Sequence, residues 1–268
     1  MKTLHDIDIN ALYKKHLQAA HFQEIPPEQW DERATHAHWD QGKLTYTDPL
    51  LEFIAVRPNE TVLDIGCGPG TLAIPLAEQC QEVFALDFSP KMLEQLTQAA
   101  QTNGLPNITT FLKGWDDCWD NVPKADVVLA SRSTLVPDLD AMIAKLHGHC
   151  LDRVVVTATT DAHFFDDAIF KAIGREDDPG FPTYLYLVNR LHQMGIQCEI
   201  HFIENPPMSF TGPVEKLVDM VRFSLGHLTK AEEKALVAFY NEYQATKTPI
   251  RQGQRAWAVL TWRAPQSE

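Results

Sequence analysis

Closely spaced glycines near Asp64 are the part of the sequence whose chemistry is easiest to interpret. They are Gly66, Gly68 and Gly70, with Cys67 between the first two, and they directly follow a short apolar run. Glycines between a strand and a helix let a ligand approach the backbone closely, and the helix N-terminus then faces that ligand. We therefore expect a ligand-binding loop at this position.

Glycine spacing and the neighbouring charge separate two classes of ligand. A dinucleotide-binding loop has the pattern GxGxxG, but here the third glycine comes one residue early and Thr71 follows it. Asp64 lies two positions before Gly66, where a carboxylate opposes a pyrophosphate and favours a ligand with an ammonium or sulfonium charge. The sequence therefore disfavours a nicotinamide dehydrogenase.

A second carboxylate, Asp87, ends the next apolar run. It follows Gly66 by about 20 residues, the offset at which a carboxylate can bind both hydroxyls of a ribose. Phe88 comes next and offers a flat apolar surface to an adenine ring. Two alternatives stay open: Asp87 could cap the helix that starts at Ser89, and Asp64 could be a solvated strand end.

Composition and charge narrow the class of protein. The 268 residues are 44% hydrophobic and 22% charged, as in a globular protein with one α/β domain and insertions. A formal net charge of −13 disfavours DNA and RNA as partners. The cysteines form no CxxC pair, and Asp6 and Asp8 interrupt the start of the chain, where a signal peptide is apolar. We expect a cytoplasmic protein with reduced thiols and no membrane partner.

The elements that must position these residues alternate between strands and helices. Short apolar runs predict strands over 61–65, 82–87, 107–112, 125–130, 153–158, 197–203 and 256–262. Most of these runs are separated by segments in which apolar residues recur at helical spacing. This alternation predicts an α/β fold, with a doubly wound, mainly parallel seven-stranded sheet and helices on both faces.

Four segments describe the expected organisation of the chain. Residues 1–49 form a helical N-terminal lid, 50–205 an α/β core, 206–253 a helical insertion, and 254–268 the last strand of the core. Ligands of open α/β folds bind at the carboxyl ends of the strands. We therefore expect the lid and the insertion to form a cover over that edge.

Two motifs resemble those of a known family. Residues 62–71, VLDIGCGPGT, are similar to the first motif of class I S-adenosylmethionine-dependent methyltransferases, and residues 85–93, ALDFSPKML, to the second. The resemblance covers residues 50–160 and implies a Rossmann-like fold with S-adenosylmethionine as cofactor and S-adenosylhomocysteine as product. It further implies that the glycine loop holds the methionine part, that Asp87 binds the ribose, and that Trp115 or Asp116 meets the adenine.

The end of the fourth predicted strand bears on the methyl acceptor. Amino-methylating nucleic-acid enzymes of the family have an Asn/Asp-Pro-Pro-aromatic motif there and cytosine C5 enzymes a Pro-Cys pair, whereas this chain has Ser131 and Arg132. No acid for Mg²⁺ ends that strand. The resemblance thus implies metal-independent transfer to a small molecule. Arg132 meets either the methionine carboxylate or an anionic acceptor, unless it forms a structural ion pair.

No general base is visible in the motifs. A sulfonium is already activated, so the protein mainly has to align the acceptor and exclude water, and a base is needed only for a weakly acidic acceptor. His36, His38 and Tyr46 are the candidates for such a base. A metal site at the two histidines is not expected, because their spacing separates the rings around a helix. The alternative function is a non-catalytic S-adenosylmethionine-binding sensor or partner subunit, and the oligomeric state stays open.

Overall fold

A seven-stranded sheet forms the centre of the protein. The computed structural model describes residues 3–36, 43–205, 208–246, 250–252 and 256–264. The strands of the sheet are β1 Thr61–Ile65, β2 Glu82–Asp87, β3 Ile108–Leu112, β4 Ala125–Ala130, β5 Cys150–Thr159, β6 Glu199–Glu204 and β9 Ala256–Arg263. A separate two-stranded ribbon consists of β7 Met208–Ser209 and β8 Arg251–Gln252.

The strand order is β3-β2-β1-β4-β5-β9-β6, which confirms the predicted doubly wound sheet. The pairs from β3 to β5 are parallel, whereas β9 runs antiparallel to both β5 and β6. The first residues of β9 therefore lie at the edge where the parallel strands end. The order reverses between β1 and β4, and ligands of open α/β sheets bind at such a switch point.

Helices pack on both faces of the sheet. The helices are α1 Ile9–Ala19, α2 Pro27–His36, α3 Lys43–Ile54, α4 Ala73–Ala77, α5 Pro90–Thr102, α6 Leu139–His149, α7 Asp167–Ala172, α8 Tyr184–Gln193, α9 Val214–Leu225 and α10 Lys230–Thr246. One apolar cluster joins α1, α6 and α8 to one face, and a second joins α3, α4 and α5 to the other. β1 and β2 are almost continuously apolar because both of their faces are buried.

The insertion shares a hydrophobic core with helix α7, which precedes it in the chain. Residues of α7, α9 and α10 form a third buried cluster, which includes Ile169, Leu217, Val221 and Leu236. The helices within residues 206–253, the segment predicted to be a helical insertion, are α9 and α10. Across the described ranges, we find no helix with the length and apolar character needed to cross a bilayer.

Helix α2 connects the core to the insertion. It packs against α5, and the Asp31 carboxylate accepts hydrogen bonds from Ser89 Oγ at 2.6 Å and from the Lys91 backbone N–H at 3.2 Å. On the other side, the Trp30 ring lies edge-on to the Phe223 ring of α9, with 5.5 Å between the centroids. The segment before the sheet and the helical insertion are thus in direct contact.

Candidate functional site

The glycine loop between β1 and α4 has a backbone that few other residues could adopt. Gly66, Gly68 and Gly70 have φ angles of +71°, +55° and +93°, in the left-handed region. A Cβ on Gly66 would lie 2.6 Å from the Ser133 Cβ, and one on Gly70 would collide with Leu96. A Cβ on Gly68 would meet no atom within 4 Å. Protein packing therefore requires the outer two glycines, whereas the middle one borders open space.

Asp64 is a buried carboxylate with an unsatisfied oxygen. The residue is 1% exposed, and its Oδ2 has no hydrogen-bond partner among the residues that the structure describes. Burial, followed by the nearby charge of Asp87, raises the pKa of Asp64 to about 7. The alternative of a solvated strand end is wrong. An unpartnered buried carboxylate is costly, and a cationic ligand would favour its ionised form.

Asp87 connects the end of β2 to the glycine loop. Its Oδ2 accepts the Gly68 N–H at 2.8 Å, and its Oδ1 accepts the Ser89 N–H at 2.9 Å. Burial raises the pKa of Asp87, although these backbone hydrogen bonds act in the opposite direction. Ser89 is the N-cap of α5, because its side chain accepts the Met92 N–H. The Asp87 side chain is therefore not the helix cap, and each of its oxygens keeps room for a further hydrogen bond.

The loop after β3 lies beside Phe88. A Cβ on Gly114 would be 3.4 Å from the Phe88 Cβ, which places this loop against the end of β2. Trp115 is half-buried, and its indole N–H donates to the Ser133 carbonyl at 2.8 Å. Asp116 is exposed. Of the two residues predicted to meet an adenine, Trp115 is thus fixed in place and Asp116 faces solvent.

A network of three hydroxyl groups lies at the ends of β4 and β5. The Tyr46 hydroxyl is hydrogen bonded to Ser131 Oγ at 2.6 Å and to Thr157 Oγ1 at 2.9 Å. Thr157 Oγ1 also accepts the backbone N–H of Arg132 at 2.9 Å. Arg132 has a φ of +58°, which is unusual for a residue other than glycine. These hydrogen bonds hold the chain after β4 in a strained conformation.

The side chain of Arg132 stacks on aromatic rings. Its Cζ lies 3.6 Å from the centroid of the Tyr46 ring and 5.0 Å from that of Trp257, the second residue of β9. Within the described part of the chain, no carboxylate forms an ion pair with this guanidinium. Arg132 is nevertheless an exposed residue. A structural ion pair, one of the alternatives for Arg132, is therefore not seen in these residues.

Cys67 and Tyr46 are buried, whereas the side chains of the two candidate histidines are not described. Cys67 is buried, and burial raises the pKa of its thiol well above the usual range, which is typical of a packing residue. Tyr46 is buried in the hydroxyl network. The His36 side chain and all of His38 lie outside the described residues. The described His, Cys, Asp and Glu side chains form no group of three or more that could hold a metal ion.

Three further residues of the cleft were missed by sequence reasoning. Ser133 Oγ donates to the Ile65 carbonyl at 2.7 Å, directly before the glycine loop. Thr157 is fully buried, and Trp257 is half-buried at the start of β9. Thr157 carried a weak signal, since it is the first polar residue after an apolar run. The other two carried none, because only the fold brings them to this edge.

Comparisons with known proteins agree with this geometry. Residues 62–152, from β1 into β5, match a family described as a methyltransferase domain. An uncharacterized protein of Haemophilus influenzae is 50% identical over 97% of this chain and 98% of its own length. A 23S rRNA (uracil(1939)-C(5))-methyltransferase of Shewanella sediminis is 38% identical over 61 residues, which are 23% of this chain and 14% of that protein.

A solved structure extends the similarity to the whole fold. Magnesium protoporphyrin IX methyltransferase from Synechocystis, crystallised with S-adenosylhomocysteine, aligns with a TM-score of 0.51 at 16% identity, covering 96% of this chain and 99% of its own. Its low identity makes this a similarity of fold. Together with the family match across the glycine loop and Asp87, the strand order shows a methyltransferase domain with the class I, Rossmann-like methyltransferase fold.

Proposed function

We propose that this methyltransferase acts on a small molecule and transfers the methyl group without a metal ion. The observation that carries the cofactor part of the proposal is the buried, unpartnered Oδ2 of Asp64, four residues before Gly68, where a side chain would meet no atom within 4 Å. The amino-acid part of S-adenosylmethionine carries an ammonium and a sulfonium charge, and both favour a nearby carboxylate. The residues present at this edge therefore fit the cofactor.

Each residue of the β1–β2 half has a role toward the cofactor. The loop from Gly66 to Gly70 holds the methionine part, and Asp87 accepts hydrogen bonds from the ribose hydroxyls. Phe88 and Trp115 would offer their rings to the adenine, and Asp116 would be available to its amino group. The space beside Gly68 and the remaining acceptor capacity of Asp87 support these assignments.

The transfer itself makes few demands on the protein. When bound, S-adenosylmethionine supplies a methyl group that is already activated by its sulfonium. The residues around the cleft then have to orient the acceptor and keep water away. Tyr46 does this indirectly, because its hydroxyl is used in hydrogen bonds to Ser131 and Thr157 and thereby positions the chain after β4. We assign it as a positioning residue and propose no general base.

A small acceptor is supported by charge and by the cover. The net charge of −13 repels a polyanion such as RNA. Helix α2 reaches from Ser89, next to the ribose-binding Asp87, to Phe223 of the insertion. Such a cover encloses a small substrate more readily than a polymer. The names of the two characterised relatives point to RNA in one case and to a porphyrin in the other, and the charge of this chain favours the second class.

A turnover assay tests the proposal. The protein is incubated with S-adenosylmethionine and either the small-molecule fraction or the RNA fraction of a cell extract, with and without EDTA, and S-adenosylhomocysteine is quantified. We expect product only with the small-molecule fraction, at the same rate with EDTA, and none with Asp87→Ala. Turnover with RNA alone, or only after metal is added, would contradict the proposal.

A further inference from the structure

The part of the cleft above β4, β5 and β9 contains a cation that nothing in the cofactor-binding half explains. The guanidinium of Arg132 lies against the rings of Tyr46 and Trp257, and no described carboxylate pairs with it. The residue as a whole is exposed, whereas burial of the guanidinium between the rings lowers its pKa. In a chain with a net charge of −13, an arginine without a carboxylate partner is unusual.

The strand order separates this cation from the methionine part of the cofactor. The glycine loop follows β1 on one side of β4, whereas Trp257 belongs to β9 on the other side. Neighbouring strands are about 4.8 Å apart, so β9 lies about 10 Å from β4. Because the guanidinium is 5.0 Å from the Trp257 centroid, the side chain extends from β4 toward β9. The guanidinium therefore contacts the β9 side of the cleft.

The backbone and the rings hold the guanidinium ready for a ligand. Arg132 keeps its left-handed φ of +58° through the hydrogen bond from its N–H to Thr157 Oγ1. Stacking on Tyr46 restricts the side chain, and no described carboxylate pairs with its N–H groups. The edge of its planar fork carries N–H donors spaced for two oxygens of one carboxylate or phosphate. The strained backbone and the ordered side chain are typical of a binding residue.

We infer that Arg132 binds an anionic group of the methyl acceptor, a carboxylate or a phosphate, and selects small anionic acceptors. The inference rests on the proposed function, since it names the substrate class of the same cleft. Trp257 and Tyr46 supply the apolar walls of this subsite, which suits an acceptor with a flat or apolar body next to its charged group.

Binding of simple probes to the complex with S-adenosylhomocysteine tests the subsite. Arginine Nε–H signals of ¹⁵N-labelled protein are followed by NMR during titration with benzoate, phenyl phosphate or neutral benzamide. We expect one signal, absent from Arg132→Gln, to shift with an anion and not with benzamide. The stronger of the two anions identifies the acceptor group as carboxylate or phosphate. No shift, or an equal shift with benzamide, would overturn the inference.

Cofactor binding distinguishes the acceptor subsite from a clamp on the methionine carboxylate. Calorimetry compares S-adenosylhomocysteine with 5′-methylthioadenosine, which lacks the amino-acid part. We expect Arg132→Gln to change both affinities less than about twofold, because loss of a charge-assisted contact would change affinity by about tenfold or more. A tenfold loss for S-adenosylhomocysteine alone would show that Arg132 holds the methionine carboxylate and would overturn the inference.

Two further variants complete the experiment. Arg263→Gln makes the same change at the opposite end of β9, where Arg263 pairs with Asp152, and we expect it to leave probe binding unchanged. Arg132→Lys keeps the charge and loses the planar fork, so we expect weakened probe binding. Wild-type protein that does not bind S-adenosylhomocysteine would overturn the proposed function and this inference together. Cofactor binding without anion binding would overturn the inference alone.

Discussion

The two halves of the cleft are constructed differently. The half at β1 and β2 comes mainly from one continuous segment, residues 62–89, to which the loop after β3 adds Trp115, and its Asp87 carboxylate is held by backbone N–H groups. The half at β4, β5 and β9 is assembled from side chains of separate segments, namely Tyr46, Arg132, Thr157 and Trp257. A half held by its own backbone keeps its shape when distant parts of the chain change. A half assembled from distant side chains changes with any one of them.

This difference implies that cofactor binding and acceptor selection are separable. Substitutions in residues 62–89 should weaken the cofactor complex, and those around Arg132 should leave it intact. The following predictions test that separation, beginning with the largest expected effect.

Replacement of Asp87 should affect the cofactor-binding half most strongly. Asp87→Ala removes the proposed hydrogen bonds to the ribose, each worth about 1.5–3 kcal/mol, and also leaves the Gly68 and Ser89 N–H groups without their acceptor. We expect calorimetry to show S-adenosylhomocysteine bound at least about tenfold more weakly. Asp120→Ala, at an exposed site, is the control. Unchanged affinity with an intact circular dichroism spectrum would refute the role of Asp87.

Asp64 should make the stability of the cofactor-free protein depend on pH. The pKa of Asp64 is about 7 in the folded protein, against an ordinary value of 3.8, so the folded chain retains a proton that the unfolded chain has lost. The free energy of unfolding should therefore fall as the pH rises from about 4 to 7, by a few kcal/mol at about 1.4 kcal/mol per pKa unit, and then level off. In Asp64→Asn, this fall in the free energy of unfolding with rising pH should be absent.

Urea denaturation at several pH values measures the effect of Asp64. The quantity to compare is the difference between wild type and Asp64→Asn, because other groups that titrate are common to both. If the two stability curves run parallel from pH 4 to 8, Asp64 does not carry the shifted pKa.

Loss of the Tyr46 hydroxyl should affect only the second half. Tyr46→Phe removes two hydrogen bonds and keeps the ring beneath Arg132, so we expect the free energy of unfolding to fall by about 1–3 kcal/mol. Affinity for S-adenosylhomocysteine should stay within about twofold. Tyr13→Phe, which loses a single buried hydrogen bond to the Val136 carbonyl, is the matched control. A tenfold loss of cofactor affinity in Tyr46→Phe would show that cofactor binding and acceptor selection are not separable.

The smallest effect should be seen in the cover, where α2 contacts both Ser89 and α9. We expect S-adenosylhomocysteine to slow hydrogen exchange in α2 and α9 about twofold or more, because bound ligand stabilises the closed arrangement. Trp30→Ala, which removes the ring contact with Phe223, should reduce this protection. Helix α6, on the opposite face, serves as the internal reference. Equal exchange with and without ligand would show that these helices form no cover.

The sequence predicted the two halves unequally, for a physical reason. Glycine spacing and the position of Asp87 are local properties, and they indicated both the sheet and the ligand loop. The burial of Asp64 and the capping of α5 by Ser89 required the structure, because a short sequence does not show which side chains are enclosed. Trp257 could not have been identified, since it reaches the cleft only because β9 runs antiparallel to its neighbours.

Ser133 gives the two halves a common support. Its hydroxyl is bonded to the Ile65 carbonyl, its own carbonyl accepts the Trp115 indole N–H, and its Cβ occupies the space that a side chain on Gly66 would need. Ser133 follows Arg132 directly in the chain. Movement of the loop that contains Trp115 would therefore reach Arg132 through a single residue. With the proposed roles, S-adenosylmethionine bound against Trp115 would steady Arg132 before the acceptor arrives.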